Sequence, residues 1–176
     1  MKLVVAGVAA MAVLIVAVGL YANQPQSVLG SGYQAQAVLL QGSMDSQMQA
    51  QLAAVQVSSP VLLLKAENGG MGGFLGPVEA MGSQLKALET SGTKVVFFAD
   101  GVCTSGCFLL ASYADQVWKD PAAVFVFGHA GDYPQVDPIL AQNKGWNTLD
   151  APQVSSVTWQ QLSSQYQIVG TVSVSG

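Results

Sequence analysis

The chain contains no arginine. Six lysines and one histidine face ten carboxylates, for a net charge of −4 over 176 residues. Binding to nucleic acid rests on clustered Lys and Arg that displace counterions from phosphates, so this composition argues against a nucleic-acid partner. Charge of either sign is scarce: 9% of residues carry one, against roughly 25% in an average soluble domain. The chain is nevertheless 51% apolar, too much for disorder. One histidine and two cysteines cannot supply the four Cys/His ligands of a structural zinc site. No metal or cofactor is expected.

Part of the apolar excess is local. Residues 3–22 form an uncharged run of twenty, preceded by Lys2. Twenty residues at about 1.5 Å rise match the roughly 30 Å hydrocarbon core of a bilayer. Leu20-Tyr21-Ala22 places Ala at −1 and Leu at −3 of a signal-peptide cleavage site, where small residues are usual at both. Residues 1–22 thus read as a membrane anchor or a signal peptide, with a buried core helix as a third reading. Lys2 keeps the N-terminus cytoplasmic by the positive-inside bias. The expected location of the rest is the non-cytoplasmic side, a periplasm in a bacterium. Residues 23–34 have a linker composition, polar with Gly, Pro and Ser, and 35–176 read as one domain.

Within that domain, strands and helices alternate. Apolar runs at 37–40 (AVLL), 61–64 (VLLL), 95–99 (VVFFA), 116–118 and 124–127 (VFVF) predict strands. Helical spacing appears at 45–55, with Asp45 as N-cap, and at 78–88; 107–114 also reads as helix. This rhythm predicts an α/β fold with a mostly parallel sheet, in which Leu62, Leu64, Val96, Phe98, Val124 and Val126 are buried. Residues 131–157 read as a Pro/Asp/Asn-containing loop. Thr158 and Gln161 read as a capping box.

Three loops carry the chemistry: Asn68-Gly69-Gly70, the stretch 100–107 (DGVCTSGC), and Gly128-His129-Ala130. Each follows a strand, and the carboxyl ends of parallel strands form the ligand-binding edge of such sheets. Ser105 lies at a strand-to-helix turn, where unpaired backbone N–H groups favour negative charge. It suits a nucleophile, and it equally suits an ordinary N-cap. His129 is the only histidine and could serve as general base or as a plain surface residue. The Gly69-Gly70 pair permits either a tight turn or an oxyanion hole. The MGGFLG that follows lacks the Lys-Ser/Thr of a phosphate loop, and Leu75 stands where a G-x-G-x-x-G motif needs its third glycine. Cys103 and Cys107 are four apart. In an oxidising compartment they read as a disulfide, or else as two buried free thiols.

In order and spacing, AVLLQGSMD (37–45), VLLLKAENGG (61–70), VVFFADGVCTSGCFLLASYAD (95–115) and AAVFVFGHA (122–130) resemble the Clp protease/crotonase superfamily. The likeness is to the proteolytic subunit of Clp and to small exported Clp-like proteins, and spans about residues 35–133. It implies repeated β-(β)-α units, preceded here by the N-terminal hydrophobic helix. It also implies Ser105 as nucleophile, His129 as base, and Gly70 and Gly106 as oxyanion-hole residues. The Cys-x-Ser-x-Cys framing of Ser105 resembles the exported subgroup. The family's long handle helix after the histidine has no counterpart here, while the tail 158–172 resembles its closing helix and short strand. At the family's aspartate position stand Val154 and Ser155, and the nearest carboxylate, Asp150, is the candidate third member. Asp132 and Asp137 lie nearer to His129 in sequence.

The resemblance implies an exported or membrane-tethered serine hydrolase, a peptidase, using a Ser–His pair on a peptide or protein substrate as a homo-oligomer. The alternative is a non-catalytic Clp-like interaction module with an incomplete triad. A third reading, an acyl-CoA-processing crotonase, fits less well: CoA is cytoplasmic, and those enzymes use carboxylates.

Overall fold

The computed structural model describes residues 32–67, 72–128, 133–150 and 152–176. The 3–22 segment, expected as an N-terminal helix, lies outside them. Among the described residues no helix is long and apolar enough to cross a membrane.

Residues Tyr33–Gln41 form β1, and Asp45 then caps α1 (Ser46–Ala54), its carboxylate accepting from the backbone N–H groups of Gln47 and Met48. Next come β2 (Val61–Glu67), α2 (Leu75–Thr90), β3 (Lys94–Asp100), β4 (Val102–Thr104) and α3 (Gly106–Ser112). The chain continues through β5 (Gln116–Lys119), β6 (Val124–Val126), α4 (Val136–Lys144), β7 (Ser155–Ser156), α5 (Trp159–Ser163) and β8 (Tyr166–Ser175). Six strands form one sheet in the order β7-β5-β3-β2-β1-β8, and every pairing in it is parallel.

Parallel pairs need crossovers, and the crossing helices cover the sheet. That is why 61–64 and 95–99 read as unbroken apolar runs: all nine residues are buried. Side chains alternate between faces. Val38, Leu40, Leu62, Leu64, Val95 and Phe97 join Met48, Leu52, Met81 and Leu85 of α1 and α2 in the larger core. Ala35, Ala37, Val61, Leu63, Val96 and Phe98 face a smaller one, closed by Trp118, Leu162, Tyr166 and Trp159.

The mostly parallel α/β expectation is met, with four corrections. First, 124–127 does not extend the main sheet: β6 pairs with β4 in a separate two-stranded parallel sheet. Second, Leu62, Leu64, Val96 and Phe98 are buried, but Val124 is 51% and Val126 46% exposed. The small sheet buries only one face, and Phe125 fills it, edge-on to Phe108 at 5.9 Å. Third, 131–157 contains α4, with Asp137 in its first turn, Lys144 in its last and Gly145 at φ 70° closing it. Fourth, the tail strand is ten residues long, and β8 lies along all of β1. The Thr158–Gln161 capping box is present.

Candidate active site

Strand β4 delivers the chain to Ser105, and α3 carries it away. The Ser105 N–H donates to the Val126 carbonyl at 3.2 Å, and the Ser105 carbonyl accepts from Leu109 N–H at 2.9 Å. Between these anchors Ser105 has φ 39° and ψ −96°. It is the one non-glycine residue with positive φ among the described residues, and such a conformation stores on the order of 1–3 kcal/mol. Its side chain makes no capping hydrogen bond to α3. Ser105 thus holds the N-cap position of α3 without side-chain capping.

The Ser105 surroundings are close-fitting backbone. A Cβ on Gly128 would lie 3.4 Å from Ser105 Oγ, so the end of β6 adjoins the hydroxyl. A Cβ on Gly106 would come within 2.9 Å of Gly73 Cα and 3.0 Å of Gly73 N, closer than side chains approach backbone. Gly73 belongs to a strap, residues 72–74, docked on Met44: Met44 N–H donates to Gly72 O at 3.0 Å, and Phe74 N–H to Met44 O at 3.2 Å. Ser105, Gly106, Gly73 and Gly128 together border a pocket of about 240 Å³. Val78, Leu109 and Phe127 give its walls their apolar side chains. Exposed Phe74 and Tyr133 stand at its side.

Cys103 and Cys107 are bonded across the Ser105 turn, with Cα atoms 5.2 Å apart. Both are buried. Beneath them, Phe108 touches Phe125, Phe127 and Trp146, with ring centroids 5.9, 5.9 and 5.5 Å away.

Of the residues singled out in the sequence, Ser105 and Gly106 line the pocket. Gly70, His129 and Asp132 lie outside the described residues. Asp150 is exposed and does not line the pocket. It exchanges hydrogen bonds with Asn147: Asn147 Nδ2 donates to its carboxylate at 3.1 Å, and its own N–H donates to Asn147 Oδ1 at 2.9 Å. Asp137 accepts from Thr148 N–H at 2.7 Å, which closes the turn after α4. Val154 packs against the larger core. Sequence reasoning missed the Gly72-Gly73 strap; the signal was a second Gly-Gly pair just before the apolar face of α2. Among the described residues no cluster of three or more His, Cys, Asp or Glu could hold a metal ion.

No family model and no curated protein matches the chain. Solved structures do. A point variant of the 1510-N membrane-bound stomatin-specific protease superposes with TM-score 0.50 at 11% identity, over 81% of this chain and 81% of that one. The 1510-N protease specific for a stomatin homolog from Pyrococcus horikoshii gives 0.49 at 13%, over 79% and 73%. ClpP1 from Listeria monocytogenes gives 0.47 at 11%, over 78% and 91%. An enoyl-CoA hydratase from Shewanella pealeana gives 0.43 at 15%, over 73% and 59%. At such identities the likeness shows a shared fold alone.

Proposed function

We propose that this chain is a serine hydrolase acting on peptides, held on the non-cytoplasmic side of a membrane or exported through residues 1–22. One observation carries the reading: Ser105 sits in a strained positive-φ turn on the border of a pocket, and its side chain makes no capping hydrogen bond to α3. Strain persists where the surroundings over-determine it, and it collects at functional sites.

In the proposed mechanism Ser105 Oγ attacks a carbonyl carbon and its proton passes to the His129 imidazole. His129 is joined covalently to Gly128, whose position abuts Ser105 Oγ. The oxyanion is held by the Gly106 N–H and by a backbone N–H of the glycine loop, for which Gly70 and Gly73 are the two candidates. The imidazolium returns its proton to the leaving amine, and water then hydrolyses the acyl-serine by the reverse path. Asp150 is the candidate to orient His129. No cofactor takes part. A homo-oligomer is proposed from the resemblance alone.

The second reading, an interaction module, is favoured by a specific observation: no described carboxylate lines the pocket, and Asp150 and Asp137 are engaged elsewhere. A fluorophosphonate probe separates the two. The full-length wild type, in its membrane, should label and Ser105→Ala should not; a wild type that stays unlabelled even when assembled would support the module. Externally added protease should digest the domain in intact spheroplasts if the proposed orientation is right, and protection until lysis would overturn that orientation.

A further inference from the structure

We propose that the Cys103–Cys107 bond is a positioning element of the site: it holds the turn that keeps Ser105 in its left-handed backbone, and so sets the nucleophile's reactivity without being needed for the fold. This rests on the reading of Ser105 as nucleophile.

The bond spans Ser105 symmetrically, two residues to either side. An extended chain would separate Cα atoms four residues apart by about 13 Å; here they stand 5.2 Å apart, inside the span that a disulfide requires. The bond therefore excludes every extended arrangement of residues 104–106. Other restraints on the turn are few. Strand β4 has three residues and pairs only with the three of β6. One backbone hydrogen bond, Ser105 N–H to Val126 O, ties the turn to that sheet, and one, Leu109 N–H to Ser105 O, ties it to α3; no side-chain cap is added to them. A serine at φ 39° gains by relaxing to negative φ, and the bond opposes that relaxation directly. Its effect on the whole fold is small, because closing so short a loop removes little entropy from the unfolded chain. Both sulfurs lie in the core, which makes the clamp rigid.

The experiment compares full-length wild type with Cys103→Ala/Cys107→Ala and with Cys103→Val/Cys107→Ala, the second restoring lost volume. The expected result is folded protein by circular dichroism in both variants. Fluorophosphonate labelling should slow at least tenfold, with the loss in the limiting inactivation rate and not in the probe concentration for half-saturation. A crystal structure of either variant should show Ser105 at negative φ. Labelling at the wild-type rate would overturn the proposal, as would a loss confined to half-saturation, Ser105 remaining near φ 39° without the bond, or failure of both variants to fold. The underlying reading fails separately: a wild type that never labels, beside a variant in which Ser105 relaxes, refutes the hydrolase and leaves the clamp standing.

Discussion

The molecule contains two parallel sheets that are held by different means. In the six-stranded sheet, β2 and β3 run seven residues each, pair along their whole length and are buried on both faces. In the β4–β6 sheet three residues pair with three, one face is covered, and Val102, Val124 and Val126 are exposed on the other. Long ladders and burial on both faces secure the first. The second relies on a disulfide, an aromatic cluster and backbone contacts too tight for a Cβ. The candidate nucleophile is mounted on the second. The strained residue sits on the shorter ladder, where the disulfide adds a restraint that strand pairing does not supply.

The largest expected effect tests whether that arrangement serves chemistry. Ser105→Ala should abolish probe labelling, because the oxygen that the probe attaches to is gone, while leaving thermal unfolding nearly unchanged. Ser105→Gly should also abolish labelling but raise stability by about 1 kcal/mol, since glycine accepts positive φ without strain. If Ser105→Gly were destabilising, the strain at this turn would be fictitious.

Next in size is the contrast between the sheets themselves. Phe98 is fully buried, with its ring 5.4 Å from that of Trp159, and Phe98→Ala should cost about 3–5 kcal/mol in denaturant unfolding. Val124→Ala, on the open face of the small sheet, should stay within about 0.5 kcal/mol. Comparable losses would mean that a partner or another part of the chain covers Val124. Gly106→Ala falls between: its Cβ meets Gly73 backbone, so the strap or α3 must move. A cost of about 1–3 kcal/mol is expected, together with loss of labelling. Wild-type labelling by Gly106→Ala would remove the strap from the site.

The same contrast explains what the sequence made legible. Long strands buried on both faces leave apolar runs, so β2 and β3 are readable, as are Asp45 and Thr158, whose capping chemistry is local. Strand β4 is three residues, VCT, and carries no period. Strand β6 was readable, but its phase was not: alternation names two faces without saying which is covered, and the aromatic cluster under Phe125 decided it. Helix α4 was hidden by Pro138, although proline is tolerated in a first turn and Gly145 marks the end. Strand β8 looked short because most of it is exposed and broken by Gly170; its pairing with β1 is set by contacts some 130 positions away in sequence. Ser105 was legible as a turn residue, but its left-handed φ depends on β6 and the disulfide together. The resemblance singled out Ser105 and Gly106, which border the pocket; it gave no sign that Asp150 would be bonded to Asn147.

The smallest prediction asks whether the central sheet owes anything to charge. At the carboxyl ends of β1, β2 and β3, Gln41 Nε2 donates to Glu67 at 2.7 Å, and Lys65 Nζ lies 2.9 Å from Glu67 and 3.0 Å from Asp100. The Gln41 amide foremost, then Lys65, hold the Glu67 carboxyl below its ordinary 4.5, against the pull of burial. A depressed carboxyl stabilises the fold fully above its unfolded pKa, and the contribution is lost as pH falls through the lower folded value. Burial drags Lys65 down, but its hydrogen bonds to Glu67 and Asp100 outweigh this and hold it above 10.5, so its contribution is lost only as pH rises past that folded value. The alkaline limb is shared with Lys144, which burial and the Lys86 charge push below 10.5. Its deprotonation relieves a cost of folding and offsets the Lys65 loss, so the acid limb is the cleaner one. Glu67→Gln should therefore cost no more than about 1 kcal/mol at pH 7, as partly exposed ion pairs do, and the difference from wild type in urea unfolding should shrink as the pH is taken below about 4. A loss well above 2 kcal/mol, or one that persists in acid, would show that polar chemistry secures the edge of the large sheet as well, and the contrast with the small one would narrow accordingly.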